Sequence, residues 1–184
     1  MKKNKKISPE KKELLFWKSS FNINSLEEIP AEVNHVDLRE SEITDEEMGY
    51  ICQRIKRIGM LDLHYTTVSN EGIGHLLQLE WVKELRLKGN AVIDNGCMPY
   101  ITKLTALEFL HLRYTAVNVA GLLYLSGLPK LTTVLLSTGE DEAFVTERMK
   151  EITTAFPDCT FQVNEKSWFP LQPWERLMKE WNGE

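Results

Sequence analysis

Val82–Val92 reads V-K-E-L-R-L-K-G-N-A-V, and 25 residues further on Leu107–Val117 reads L-E-F-L-H-L-R-Y-T-A-V. Both fit one template, L-x-x-L-x-L-x-x-[N/T]-x-[V/I], with apolar residues at positions 1, 4, 6 and 11. Positions 4 and 6 are two apart, so on a strand their side chains point to the same face. Position 1 enters that inside and position 11 leaves it. The polar residue at position 9 falls where the chain turns off the strand. There its side chain can bond backbone groups that would otherwise be buried unpaired.

Working outward, Val33-Val36-Leu38-Ser41-Ile43 and Ile58-Leu61-Leu63-Thr66-Val68 repeat the template upstream, and a partial copy follows at Leu131, Val134 and Leu136. First positions fall at 33, 58, 82, 107 and 131, so the intervals are 25, 24, 25 and 24. The second half of each unit has helical spacing: Met48, Ile51, Cys52 and Ile55; Gly72, Ile73, Leu76, Leu77 and Leu79; Met98, Ile101 and Leu104; Gly121, Leu122, Leu123, Leu125 and Leu128. One strand-plus-helix unit cannot bury its own inner face, whereas stacked neighbours can. The expectation is an α/β solenoid of about five strand-helix repeats with a curved parallel sheet.

This pattern resembles the leucine-rich repeat proteins. Gly-Leu at the start of a short helix resembles the ribonuclease-inhibitor-like and cysteine-containing subtypes. The string L-R-L-K-G-N-A-V-I-D-N-G-C-M-P-Y-I-T-K-L, residues 85–104, is similar to the I-x-D-x-C-L-x-x-L register of the mitochondrial ATP synthase coupling factor B family. The wider resemblance implies a curved parallel sheet used for protein binding, and it implies no enzyme activity.

At 184 residues and 21.3 kDa the chain suits one domain. Residues 1–32 read as an N-terminal cap, 33–138 as repeats and 139–184 as a helix-strand-helix C-terminal cap. Ser8-Pro9-Glu10 is a helix start, with Leu14, Leu15, Trp17 and Phe21 as its apolar face and Leu26 and Ile29 in the same cap. Thr44-Asp-Glu-Glu47 fits a capping box within an acidic stretch that matches no calcium loop. After Leu136, a helix through about Ala155 and one closing strand ending at Val163 lead into the Trp-rich tail, Trp168 to Trp181.

Residues 1–20 carry seven lysines and two glutamates, so this end is +5 within a chain of net charge −5. The overall charge argues against a general nucleic-acid binder. Cys52, Cys97 and Cys159 are odd in number and widely spaced; buried free thiols fit them, and a reducing, cytoplasmic setting. No apolar run approaches ~18 residues, so no membrane span is expected.

Function is expected on the concave face, at strand positions 3, 5, 7 and 8. The candidates are Arg39, Met60, Asp62, His64, Tyr65, Arg86, Lys88, Phe109, His111, Arg113 and Tyr114. Arginine, tyrosine and exposed aromatics are the residue types that anchor protein interfaces. A passive surface is the competing reading, with Asp62 beside Arg86, or Glu84 near Lys88, as cross-strand pairs that only stabilise the sheet. His64 and His111 share the face two strands apart, ~10 Å by sheet spacing, too far to share a metal ion without a third ligand between. G-x-S-x-G, H-E-x-x-H, P-loop and paired C-x-x-C motifs do not occur. The chain is therefore expected to be non-enzymatic, with no cofactor, metal or small-molecule substrate, and to bind an unidentified protein partner. An inhibitor or immunity-type role against a basic partner would suit the acidic first repeat. The alternative is an assembly or scaffold subunit that docks through its basic N-terminus and Trp-rich C-terminus.

Overall fold

The alternation of the template becomes a parallel ladder. β1 (Glu32–Asp37), β2 (Arg57–Asp62), β3 (Trp81–Arg86), β4 (Phe109–Leu112), β5 (Thr133–Leu136) and β6 (Thr160–Val163) pair in chain order, each parallel to the last. The structure, a computed structural model, describes residues 7–169. The lysines of residues 2–6 and the tail segment from Trp174 to Trp181 lie outside the described residues. Across the sheet Val33 faces Ile58, Ile58 faces Val82, Leu85 faces Leu110 and Leu110 faces Val134. Equivalent template positions thus stand side by side, and the sequence interval is the step from strand to strand.

Six α-helices occur among the described residues: α1 (Pro9–Phe21), α2 (Asp45–Arg54), α3 (Asn70–Gly74), α4 (Met98–Ile101), α5 (Val119–Leu122) and α6 (Glu142–Ala155). Positions 4 and 6 of β2 to β5 are fully buried, in one hydrophobic cluster with Met48, Ile51, Ile73, Met98, Ile101 and Leu122 from the helices. Cys52, Cys97 and Cys159 are buried free thiols within it, and burial pushes each thiol up to about 12. The polar residue at position 9 bonds backbone as its place requires. The hydroxyls of Ser41, Thr66 and Thr115 donate to the carbonyls of Leu38, Leu63 and Leu112, and Asn90 Nδ2 donates to Leu63. Thr44 and Glu47 form the expected capping box of α2.

Four details depart from the sequence pattern. Val92, at position 11 of the third unit, is 61% exposed, and Ile93 is buried in its place. One extra residue in the turn after Asn90, closed by the Ile93 N–H donating to the Asn90 carbonyl, shifts the inward position by one. Leu77 is exposed because α3 tightens into a 3₁₀ turn over His75–Gln78. Three residues per turn put Leu76 and Leu79 inward and rotate Leu77 out. On α1 the buried set is Glu13, Phe16 and Trp17, while Leu15 is exposed. The helix is turned so that Glu13 accepts two bonds from Arg54 on α2, at 2.7 and 3.0 Å. Last, β7 (Lys166–Trp168) pairs antiparallel with β6, giving a seven-stranded sheet where one closing strand was expected.

No helix among the described residues is long and apolar enough to cross a membrane.

Candidate partner-binding face

Side chains at positions 3, 5 and 7 point away from the helices' side of the sheet because 4 and 6 point toward it. Register places Met60 beside Glu84 and Glu84 beside Phe109, then Asp62 beside Arg86 and Arg86 beside His111. The face is therefore three strands of mixed charge and aromatic character, and its chemistry depends on how those side chains meet.

Asp62 is its hub. Although it lies on the outward side, it is only 2% exposed. Its Oδ1 accepts from the backbone N–H of His64 at 3.2 Å and stands 3.5 Å from His64 Nδ1. Its Oδ2 is 3.9 Å from both Arg39 Nε and Arg86 Nη1. Each arginine has a closer carboxylate of its own. Arg39 grips Asp37 with two bonds, 2.9 and 2.7 Å, which hold the Asp37 carboxyl down to about 2. Arg86 donates to Glu84 at 2.9 Å and lies over the Phe109 ring, 5.5 Å from its centroid.

Drawn by Glu84, Arg86 leaves the space between β2 and β4 open to two imidazoles. His64 Nε2 and His111 Nδ1 stand 3.2 Å apart, with the rings nearly perpendicular at 87°. This corrects the expectation of a separation near 10 Å. Strand spacing measures backbones, and here the two side chains extend from different template positions toward one another. The contact requires one of these two nitrogens to carry a proton and the other to accept it; a proton on His64 Nδ1, 3.5 Å from Asp62 Oδ1, would make His111 Nδ1 the donor. Burial lowers both imidazoles; for His111, burial, then His64, Arg113, Lys88 and Arg86 bring it down to about 4. Both shifts favour the neutral imidazole. Among the described residues no three His, Cys, Asp or Glu side chains converge as metal ligands, and Asp62 faces the other nitrogen of His64.

The third feature lies at the ends of the strands. Position 8 is left-handed in four successive units: φ is 57° at Glu40, 55° at Tyr65, 80° at Gly89 and 57° at Tyr114. This step turns the chain off the sheet, and for a bulky residue it is a strained conformation that glycine adopts freely. Tyr65 and Tyr114 nevertheless occupy it, 49% and 59% exposed. The Tyr65 ring lies over Gly89, where a Cβ would come within 2.2 Å of Tyr65 Cδ1. Lys88 is bracketed by the two tyrosines, its Nζ 5.4 Å from the Tyr65 centroid and 5.7 Å from that of Tyr114. Its neighbour Arg113 donates from Nη2 to the Asn164 carbonyl at 3.2 Å, in the turn between β6 and β7.

The candidate residues thus resolve into linked groups: Arg39, Asp62 and Arg86; His64 and His111; Tyr65, Lys88 and Tyr114; with Phe109 under Arg86, Met60 beside Glu84, and Arg113 reaching the closing hairpin. Asp37 and Glu84 belong with them, as the clamps of Arg39 and Arg86. The anticipated cross-strand pair of Glu84 with Lys88 does not form among the described contacts: both lie on β3 or just past its end, four residues and about 13 Å apart at strand spacing, and Glu84 pairs with Arg86 instead. Gly89 was absent from the candidates, though its column was readable, since it shares position 8 with Tyr65 and Tyr114. Asn164 had no signal, being 51 residues from Arg113 and outside the repeat.

No protein-family model matches the chain, and no curated protein compared with it does.

Proposed function

We propose that this chain is a leucine-rich repeat solenoid acting as a non-enzymatic interaction module, which holds a protein partner on the concave side of its sheet. The observation that carries the reading is the bracket at the strand ends. Two large aromatic side chains sit exposed in a left-handed backbone, on either side of a lysine that they approach without burying. Such positions cost on the order of 1–3 kcal/mol each and persist where the surroundings over-determine them. Asparagine or glycine would make the same turn with less strain. Tyrosine there supplies rigid contact area, the property that makes it common at interface hot spots.

The passive reading explains less of the face. Arg39 and Arg86 are accounted for by their own carboxylates, so their pairing fits sheet stabilisation. Tyr65 packs on Gly89 and both rings flank Lys88, but the part of each ring left exposed adds nothing to the sheet. The test is affinity capture under native conditions with wild type beside Lys88→Glu/Tyr114→Ala. The proposed role requires that a stoichiometric partner be lost with that variant, and equal capture by both would remove it. A truncation lacking residues 1–6 leaves the Ser8 cap of α1 in place and tests docking through the basic terminus instead.

A further inference from the structure

Resting on that reading, we infer that the partner presents an acidic segment, and that its carboxylates are received by Lys88 between the rings of Tyr65 and Tyr114, with Arg113 on the adjacent strand as a second cation. The face carries four cations, and they are not equivalent. Arg39 and Arg86 are held by Asp37 and Glu84 at 2.7–2.9 Å. Lys88 and Arg113 have no carboxylate within 4.0 Å among the described residues. They stand at the same template position on adjacent strands, where the Gly89 N–H donates to the Arg113 carbonyl. Adjacent strands are ~4.8 Å apart, so the two stems start side by side, with Lys88 Nζ held between the tyrosine rings and Arg113 extended toward Asn164.

The chain as a whole is acidic, with a net charge of −5, yet this face keeps two neighbouring cations without a carboxylate partner among the described residues. The opposite assignment, a basic partner on the acidic first repeat, has fewer free anions than the sequence offers, because four of the six acidic residues from Asp37 to Glu47 have partners within the fold. Asp37 is taken by Arg39. Asp45 accepts the backbone N–H and hydroxyl of Ser69. Glu46 accepts the Tyr50 hydroxyl, and Glu47 serves the Thr44 cap. These four anions are used within the fold, which leaves Glu40 and Glu42, both exposed, as the remaining acidic residues of the stretch. Among the described residues the Lys88 ammonium is engaged only by ring faces, from which a carboxylate can draw it at little cost, and the tyrosines then flank the new ion pair. Charge-assisted bonds of this kind are the stronger ones.

The probe is an acetylated, amidated octaglutamate peptide, titrated into the isotope-labelled full chain and read by amide chemical shifts and by anisotropy of the labelled peptide. Expected are shifts concentrated at residues 65, 88, 113 and 114, weakening with added salt. An octalysine peptide should leave these amides unmoved. Lys88→Ala/Arg113→Ala should weaken octaglutamate binding about tenfold or more. Arg113 also holds Asn164, so Lys88→Ala alone, which breaks no hydrogen bond, must give a loss in the same direction. Peptide shifts confined to the lysines of residues 2–12, or undiminished binding by Lys88→Ala, would overturn the inference. So would tighter binding of an eight-nucleotide single-stranded DNA at the same amides, which would assign the site to phosphates. If octaglutamate fails while Lys88→Glu/Tyr114→Ala still abolishes partner capture, the acidic class is wrong and the face reading survives. Failure of both removes the face.

Discussion

Leu85 and Arg86 are adjacent in the chain and belong to two different kinds of surface. On the inner side of the sheet, each strand presents the same apolar types at the same positions, and positions 4 and 6 of β2 to β5 are fully buried. On the outer side, neighbouring strands present different chemistry at equivalent positions: Asp62, Arg86 and His111 in one row, His64, Lys88 and Arg113 in the next. The inner side is interchangeable between units because stacking is all it does. The outer side differs from unit to unit and is knit by pairings that run along strands as often as across them. Stability should therefore concentrate on the inner side, and recognition on the outer.

The contrast is broken most severely from within. Leu110→Ala in β4 removes a buried side chain that neighbouring strands cannot collapse onto, and should cost about 2–5 kcal/mol. Chemical denaturation measures this, and a loss below about 1 kcal/mol would mean the stack relaxes more than its packing implies. Next is Gly89→Ala, which adds a methyl into the Tyr65 ring at a φ of 80°. A loss of about 1–3 kcal/mol is expected from strain and displacement of the ring, with the NMR signals of the Tyr65 ring as a local reporter; an unchanged melting temperature would refute the placement of that ring.

The histidine pair sharpens the comparison through pH. An unfolded imidazole titrates near 6.5, whereas folded His111 is held at about 4 and His64 below its ordinary value. Between those values the unfolded chain binds more protons, so stability rises with pH. The pair's contribution is full above about 6.5 and is lost as pH falls toward 4. Protonation would add charge to a face already carrying Arg39, Arg86, Lys88 and Arg113, with Asp62 as the opposing group. His64→Gln/His111→Gln should flatten the stability–pH slope in that window relative to wild type, and an identical slope would contradict the burial of the pair. The smallest effect is expected for Lys88→Glu/Tyr114→Ala, within about 0.5 kcal/mol, because both side chains are surface groups whose removal leaves no buried polar atom.

The inner side was legible because burial repeats with a fixed period, and one well-formed unit sets the register of the others. It failed only where the local period changed: at Val92, where a turn gained a residue, and at Leu77, where an α-turn tightened to 3₁₀. On α1, Glu13 was unreadable as a buried residue because its partner Arg54 lies 41 residues away. The outer side was legible as a set of positions and not as a network. Backbone spacing kept His64 and His111 apart on paper, and the reach of two imidazoles past a diverted arginine brought them together. Repetition hid the left-handed column, since two tyrosines in matching strings look like duplication until Gly89 is placed between them.

The central claim, that the outer side of β2 to β4 is where this protein is recognised, is tested most directly by native affinity capture with wild type and Lys88→Glu/Tyr114→Ala, read by mass spectrometry. The account predicts one protein in stoichiometric yield with wild type and its loss with the variant, while both baits unfold at the same temperature. Recovery of the same protein in equal yield with both would contradict it.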